Sequence, residues 1–364
     1  MMRKPRIIIY GAGAIGRGFL APIFYDLSYE IFFVDKDPIL INELKTRNQY
    51  KTAFVKDHKY HIKKVKYSGA FFPGEEDKLI NKVDFVFSCV GPRNIAEFAK
   101  KLKNAKTIIS FENESESVDN LKKLSGNKNC YFGIPDVITS NSCCPELRKI
   151  DSLCLISESG EIAVEKGNFK LPKQIHVYSK ENLEKYWHCK FYLHNTPHAT
   201  AAFLGKLFSC KYLHESMKIQ EIEQTVKSVM ESMKNAMKIK NLAESDFIDF
   251  YAEKEIERFK DELLFDPISR VGRDPLRKLR QHDRLIKCAR FIEETNQDLS
   301  GICLVIRAAV YDALVNNQDE LSDIFNKQPT EKDILIKISG LNESESLMSE
   351  ILNQNCLLST IRAK

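Results

Sequence analysis

Two sets of residues in this chain have types and spacings suited to chemistry. The first is Gly11-x-Gly13-x-x-Gly16, entered from the apolar run Ile7-Ile8-Ile9 and followed by an apolar helical stretch. In a strand–turn–helix of this kind Gly11 permits the tight turn, Gly13 lets a diphosphate approach the backbone, and Gly16 lets the helix pack closely on the strand. The helix start adds unpaired N–H groups and a partial positive charge facing the phosphates. Gly11, Ala12, Gly13, Ala14, Ile15, Gly16 and Arg17 are therefore the expected cofactor loop, with Arg17 either touching the diphosphate or solvated. A second apolar run, Ile31 to Val34, ends in Asp35, 24 positions beyond Gly11. An acid there hydrogen-bonds a ribose 2′-hydroxyl and repels a 2′-phosphate, which favours NAD over NADP; Lys36 beside it softens that preference. A helix N-cap or loop acid is the plainer role for Asp35.

The second set is Lys190, Asn195 and His198, within Lys190-Phe-Tyr-Leu-His-Asn195-Thr-Pro-His198. Pro197 suits a first helical position and Thr196 its N-cap, which puts Asn195 and His198 at the mouth of a helix. Lys190 is expected on the strand or loop before it. Such groups, turned into a cleft between two domains, could remove a hydroxyl proton and stabilise a developing oxyanion while hydride leaves the same carbon. A lysine does this when burial and positive neighbours lower its pKa. Residue type alone also fits a surface lysine and a histidine satisfied at a helix start.

The elements around these sets read as two halves. Up to about residue 180, strand signals alternate with helix signals: His61 to Tyr67, Val83 to Val90, Thr107 to Phe111 and Cys130 to Ile134 as strands, Arg93 to Lys103 and Ser115 to Leu124 as helices. That alternation predicts a doubly wound, Rossmann-like parallel sheet. Ser152–Ile156, Glu161–Val164 and Gln174–Tyr178 read as further strands in a mixed extension. From about Pro197 the pattern is helical almost throughout, with Ile219, Ile222, Val226, Val229, Met230, Met233 and Met237 at spacings of three and four. The expected organisation is a dinucleotide-binding α/β domain over 1–186 and an all-α domain over 187–364.

The chain has 364 residues, 43% of them apolar, and a net charge of +5 from 55 basic and 50 acidic side chains. That size predicts two domains, and the balance demands neither nucleic acid nor a membrane surface as partner while suiting an anionic small substrate. No apolar stretch reaches membrane-span length, and no signal-peptide pattern precedes the first strand. The ten cysteines contain no Cys-x-x-Cys pair, so zinc spacing is absent and a reducing cytoplasm is the expected location. Residues 270–290 concentrate basic side chains, among which Arg273, Arg277 and Lys278 could converge on one phosphate; a solvated helical face is the alternative.

Taken together the motifs resemble the polyol-specific long-chain dehydrogenases, the mannitol dehydrogenase family, nearly end to end. The resemblance lies in Gly11 to Phe19, Ser88-Cys-Val-Gly-Pro92, Glu112-Asn113, Lys190-x4-Asn195-x2-His198, Ala199 to Lys206, Arg270 to Leu279 and Asp283 to Lys287. It implies metal-independent hydride transfer between NAD and a hexitol phosphate, with Lys190 as general acid/base, Asn195 polarising the carbonyl and His198 orienting the substrate. It also implies a cofactor contact at Asn113 and a substrate contact at Asp136. A sister enzyme acting on an unphosphorylated polyol or a hexuronate is the nearest alternative, and a non-catalytic NAD-binding sensor the alternative of another class. A monomer or weak dimer is the expected state. The chain departs from the family at Ala14, where an Asn is usual, and in the run after Asp136.

Overall fold

The computed structural model describes residues 3–354; Met1, Met2 and 355–364, the outer ends of the two expected domains, lie outside the described residues. The chain divides into two compact units, one of Met1–Glu184 with Leu263–Phe265, the other of Lys185–Glu262 with Asp266–Lys364.

Among the described residues the first unit holds twelve strands: β1 (Arg6–Tyr10), β2 (Glu30–Val34), β3 (Gln49–Lys56), β4 (Lys59–Lys66), β5 (Gly69–Phe71), β6 (Phe85–Ser88), β7 (Ile108–Ser110), β8 (Cys130–Asp136), β9 (Thr139–Ser140), β10 (Ile156–Glu158), β11 (Glu161–Glu165) and β12 (His176–Tyr178). Eight form one sheet in the order β12-β11-β8-β7-β6-β1-β2-β5. It is parallel from β8 to β5, while β11 runs antiparallel to β8. The chain leaves β1 toward β2 and returns to β6 on its other side, so the strand order reverses at β1. A ligand crevice opens beyond the carboxyl ends of strands at such a switch point. The central strands read as unbroken apolar runs because both faces are covered; Ile7, Ile9, Phe24, Phe33 and Phe87 share one buried cluster.

Several expectations need correction here. Arg93 to Lys103 is not one helix but two short 3₁₀ segments, Pro92–Glu97 and Ala99–Asn104. They meet at Phe98, whose backbone (φ −126°) leaves the helical region, and whose ring is held by stacking on Tyr10 at 4.3 Å. The strand expected over Ser152–Ile156 begins only at Ile156 and joins a second sheet, β4-β3-β10-β9, rather than extending the first.

The second unit is helical, and the helix that leads into it starts at Lys180, in the last residues of the first unit and well before Pro197. The Gln220–Ile239 helix buries the expected Ile222, Val226, Val229, Met230, Met233 and Met237, while Ile219 precedes it with an extended backbone and is only half-buried. The Ser300–Asn316 helix buries side chains around most of its circumference, as a central core helix must. Among the described residues, no helix is long and apolar enough to cross a membrane.

Candidate active site

The glycine loop leaves β1 as the spacing requires. Gly11 has φ +93°, and a Cβ there would stand 2.4 Å from the Cys89 carbonyl oxygen; one on Gly16 would stand 2.0 Å from the Gly11 oxygen. Gly13 differs: a Cβ would meet nothing within 4 Å. Its side opens onto free space at the end of β1, the room a diphosphate needs to reach the backbone. Asp35 stands at the end of β2, its Oδ2 accepting from the Ala12 N–H at 2.7 Å and its Oδ1 from the Asp37 N–H at 3.0 Å. The acid is thus fixed against the loop, where a ribose diol following the diphosphate would meet it. Lys36 is turned away to Glu97 and Asn94, at 3.1 and 3.2 Å. These residues fit a dinucleotide with a free 2′-hydroxyl.

Arg17 neither faces solvent nor reaches outward. It is buried, its Nε donates to the Ala12 carbonyl at 3.0 Å, and its guanidinium also bonds the Leu153 carbonyl. It braces the loop, which corrects the expectation of a solvated side chain. Asn113 is exposed. The anchoring residue in that segment is its neighbour Glu112, buried after β7, which accepts from Ser88 Oγ at 2.6 Å and from the Val90 and Gly91 N–H groups at 2.9 Å each. Burial nonetheless pushes its carboxyl above the usual range. Asp136 ends β8, buried, in the first unit.

A contrast between two loop glycines is testable. Gly13→Ala should fold as the parent does, with Tm within about 2 °C, because the methyl meets open space and the backbone (φ −81°, ψ −152°) suits any residue. The same methyl should weaken NADH by about 10- to 100-fold in a fluorescence titration. An unchanged Kd would place the diphosphate elsewhere.

In the second unit, Lys190, Asn195 and His198 sit on one rod, and the expected helix mouth is absent. Lys180–Cys189 is α-helix, Lys190–Asn195 is a π-helical stretch wound with i→i+5 bonds, and Thr196–Leu207 is α-helix again. Pro197 has no N–H to give the preceding turn, and the helix widens there instead of breaking. Thr196 is helical (φ −76°, ψ −53°); its Oγ1 donates to the Arg284 carbonyl at 3.2 Å and does not cap. Lys190 therefore comes from helix rather than from strand or loop.

All three side chains are buried. Asn195 Nδ2 has no hydrogen-bond partner. Leaving such a donor unmade costs about 1–3 kcal/mol, so it is a place where a ligand oxygen is welcome. His198 Nε2 lies 2.7 Å from Asp266 Oδ2. Burial lowers the histidine's pKa despite Asp266, keeping the ring neutral near pH 7. Burial alone would raise Asp266, but Arg270 and His198 outweigh it and hold the carboxyl at about 2. The ionised acid accepts, which puts the histidine's proton on Nε2. Arg270 Nε bonds Asp266 Oδ1 at 3.0 Å.

Sequence reading did not find Asp266, nor Glu255, whose Oε2 lies 2.5 Å from His194 Nδ1. A signal existed for Glu255: it interrupts the apolar stripe Ile248, Tyr251, Ala252, Phe259 of the Ser245–Lys260 helix. The basic cluster does not converge as expected. Arg277 donates to Asp283 Oδ2 at 2.6 Å, Arg273 is exposed, and Lys278 is buried with its amine on the Arg273 carbonyl. Burial, then Arg284 and Arg277, lower the Lys278 amine to about 6. Among the described residues no group of three His, Cys, Asp or Glu side chains could hold a metal ion.

A reversal-point crevice with a glycine loop, accompanied by a helical unit that buries a lysine, an unpaired amide and an imidazole, places the chain among dinucleotide-linked oxidoreductases. The comparisons narrow this. Residues 5–125 match the mannitol dehydrogenase Rossmann domain and residues 182–354 the mannitol dehydrogenase C-terminal domain. The chain is 30% identical to the mannitol-1-phosphate 5-dehydrogenase of Buchnera aphidicola subsp. Acyrthosiphon pisum, over 97% of its own length and 99% of that relative's. It is 30% identical to the protein of the same name from Caldanaerobacter subterraneus subsp. tengcongensis, over 94% and 95%. Its fold is like that of Pseudomonas fluorescens mannitol 2-dehydrogenase solved with NAD and D-mannitol, with a TM-score of 0.75, 12% identity, and coverage of 99% of this chain and 94% of that one. The chain belongs to the mannitol dehydrogenase family and is an NAD-dependent oxidoreductase of CH–OH groups.

Proposed function

We propose that the chain interconverts mannitol 1-phosphate and fructose 6-phosphate, with Lys190 as general acid/base. The observation that carries the chemistry is Asn195, a buried amide donor without a partner on the same widened turn as a buried lysine. The name shared by relatives 30% identical over nearly the whole chain supports the choice of sugar.

When bound, NAD supplies the hydride acceptor. Lys190 takes the hydroxyl proton of the hexitol phosphate in the oxidative direction and returns it to the ketone oxygen in the reductive one. The Asn195 amide donates to that oxygen as charge gathers on it, an interaction stronger in the transition state than in the ground state. His198, fixed through Nε2 by Asp266, orients the substrate. Asp136 is a further substrate contact. Asp35 receives the ribose of the dinucleotide, and the Gly11–Gly16 loop its diphosphate. The phosphate of the sugar goes to the exposed Arg273 side chain of the basic segment.

The test is NADH oxidation with fructose 6-phosphate, fructose and hexuronates. A charge-assisted contact to the phosphate predicts a kcat/KM about 10- to 100-fold higher for fructose 6-phosphate than for fructose. Equal efficiency would move the protein to an unphosphorylated polyol. NADH binding with no sugar reduced would make it a sensor.

A further inference from the structure

His194 stands four residues after Lys190 and four before His198, and the mechanism above gives it no part. Its surroundings repeat those of His198. Its Nδ1 lies 2.5 Å from Glu255 Oε2, and the other oxygen of Glu255 pairs with Arg258, as Asp266 joins His198 to Arg270. The two imidazole rings are 4.8 Å apart between centroids. The Phe259 ring packs on both, at 5.6 Å from His194 and 5.2 Å from His198, parallel to the latter within 7°.

The Glu255 side chain is wholly buried, and that of Arg258 nearly so. A buried ion pair costs several kcal/mol of desolvation per ion, and an apolar side chain would fill such a core position without that cost. Stability alone gives little reason for the charges. A π-helical turn has poor intrinsic preference for its own geometry, and such turns recur at functional sites. The bond from Glu255 ties this one to the Ser245–Lys260 helix at the residue directly before Asn195.

We propose that His194, Glu255 and Arg258 form a second positioning relay, which holds the widened turn bearing Lys190 and Asn195 and, through the packed rings, the bearing of His198. The proposal rests on reading Lys190, Asn195 and His198 as the reacting groups. Glu255 and Arg258 act through His194 and are positioning residues.

The test uses the full chain carrying Glu255→Gln, which keeps the side chain's shape but not its charge, and Glu255→Asp, which keeps the charge. Steady-state reduction of fructose 6-phosphate, thermal melting and imidazole NMR are read on each, with the His194 ring proton assigned by its loss in His194→Gln. The parent should show that proton far downfield, as a short bond to a carboxylate requires. Glu255→Gln should remove the signal, lower kcat by about 10- to 100-fold and leave KM within about threefold, the pattern of misplaced rather than missing groups. Glu255→Asp should restore part of both signal and kcat. Parental kcat in Glu255→Gln overturns the proposal, as does a kcat loss no larger than the loss of folded protein. A parent silent toward every sugar sinks the functional reading separately; the tie then stands or falls on the NMR signal, whose absence in the parent overturns it.

Discussion

Lys190→Ala should lower kcat by about 10³-fold while the Kd for NADH stays within about twofold. General acid/base groups contribute about 10²- to 10⁴-fold, and this lysine is buried on the turn that also carries the unpaired Asn195 amide. The glycine loop and Asp35 belong to the other unit and lose nothing in the variant. Lys190→Arg is the sharper version. Arginine keeps the charge and much of the volume, but it cannot give up a proton near neutrality. If Lys190 moves a proton, arginine fails as alanine does. If it only supplies positive charge, arginine restores much of the rate. Stopped-flow NADH oxidation and fluorescence titration separate the two, and an alanine variant within tenfold of the parent would remove Lys190 from the mechanism.

Asp266→Ala should be among the most destabilising single changes in the second unit. The carboxylate is buried between His198 and Arg270, and its removal leaves both donors unpaired. Breaking a buried pair in this way costs about 3–5 kcal/mol. The acid limb has a definite sign. Asp266 is held at about 2 in the fold against 3.8 ordinarily, so its contribution is complete above pH 4 and is lost as pH falls from about 4 toward 2. That shift corresponds to about 2 kcal/mol. Urea unfolding should therefore show a gap between parent and variant that narrows as pH falls from about 4 toward 2. A gap that does not narrow over that range would contradict an ionised Asp266. Asp266→Asn, which keeps the shape, should recover part of the stability, although an amide cannot counter Arg270.

Much of the first unit was legible because buried parallel strands write themselves as apolar runs. Ile7 to Ile9, Ile31 to Val34 and Phe85 to Phe87 are covered on both faces, and the glycine spacing fixes what joins the first of them to its helix. Strand β3 was not legible. Gln49–Lys56 carries Lys51 and Lys56 in a half-buried pattern, and its pairing with β4 turns on Asp57 and His58, both at positive φ without a glycine. In the second unit, the Thr-Pro pair looks like a helix start because capping is local and the alternative is not. Only the packed rod decides that the chain winds through Pro197. The same limit hid the acids. Glu255 and Asp266 lie 61 and 68 positions from the histidines they hold, distances at which no periodicity speaks.

The widened turn at Lys190–Asn195 makes winding a variable in its own right. Each residue of an α-helix rotates the chain by about 100°. A chain one residue shorter in this stretch could wind evenly, with the helix beyond it facing much as before because the wide turn takes up the extra residue, yet the side chains within the stretch would change their facing against one another. Activity in such a scaffold can thus appear or vanish through a change in length alone, with the composition of its reactive groups untouched.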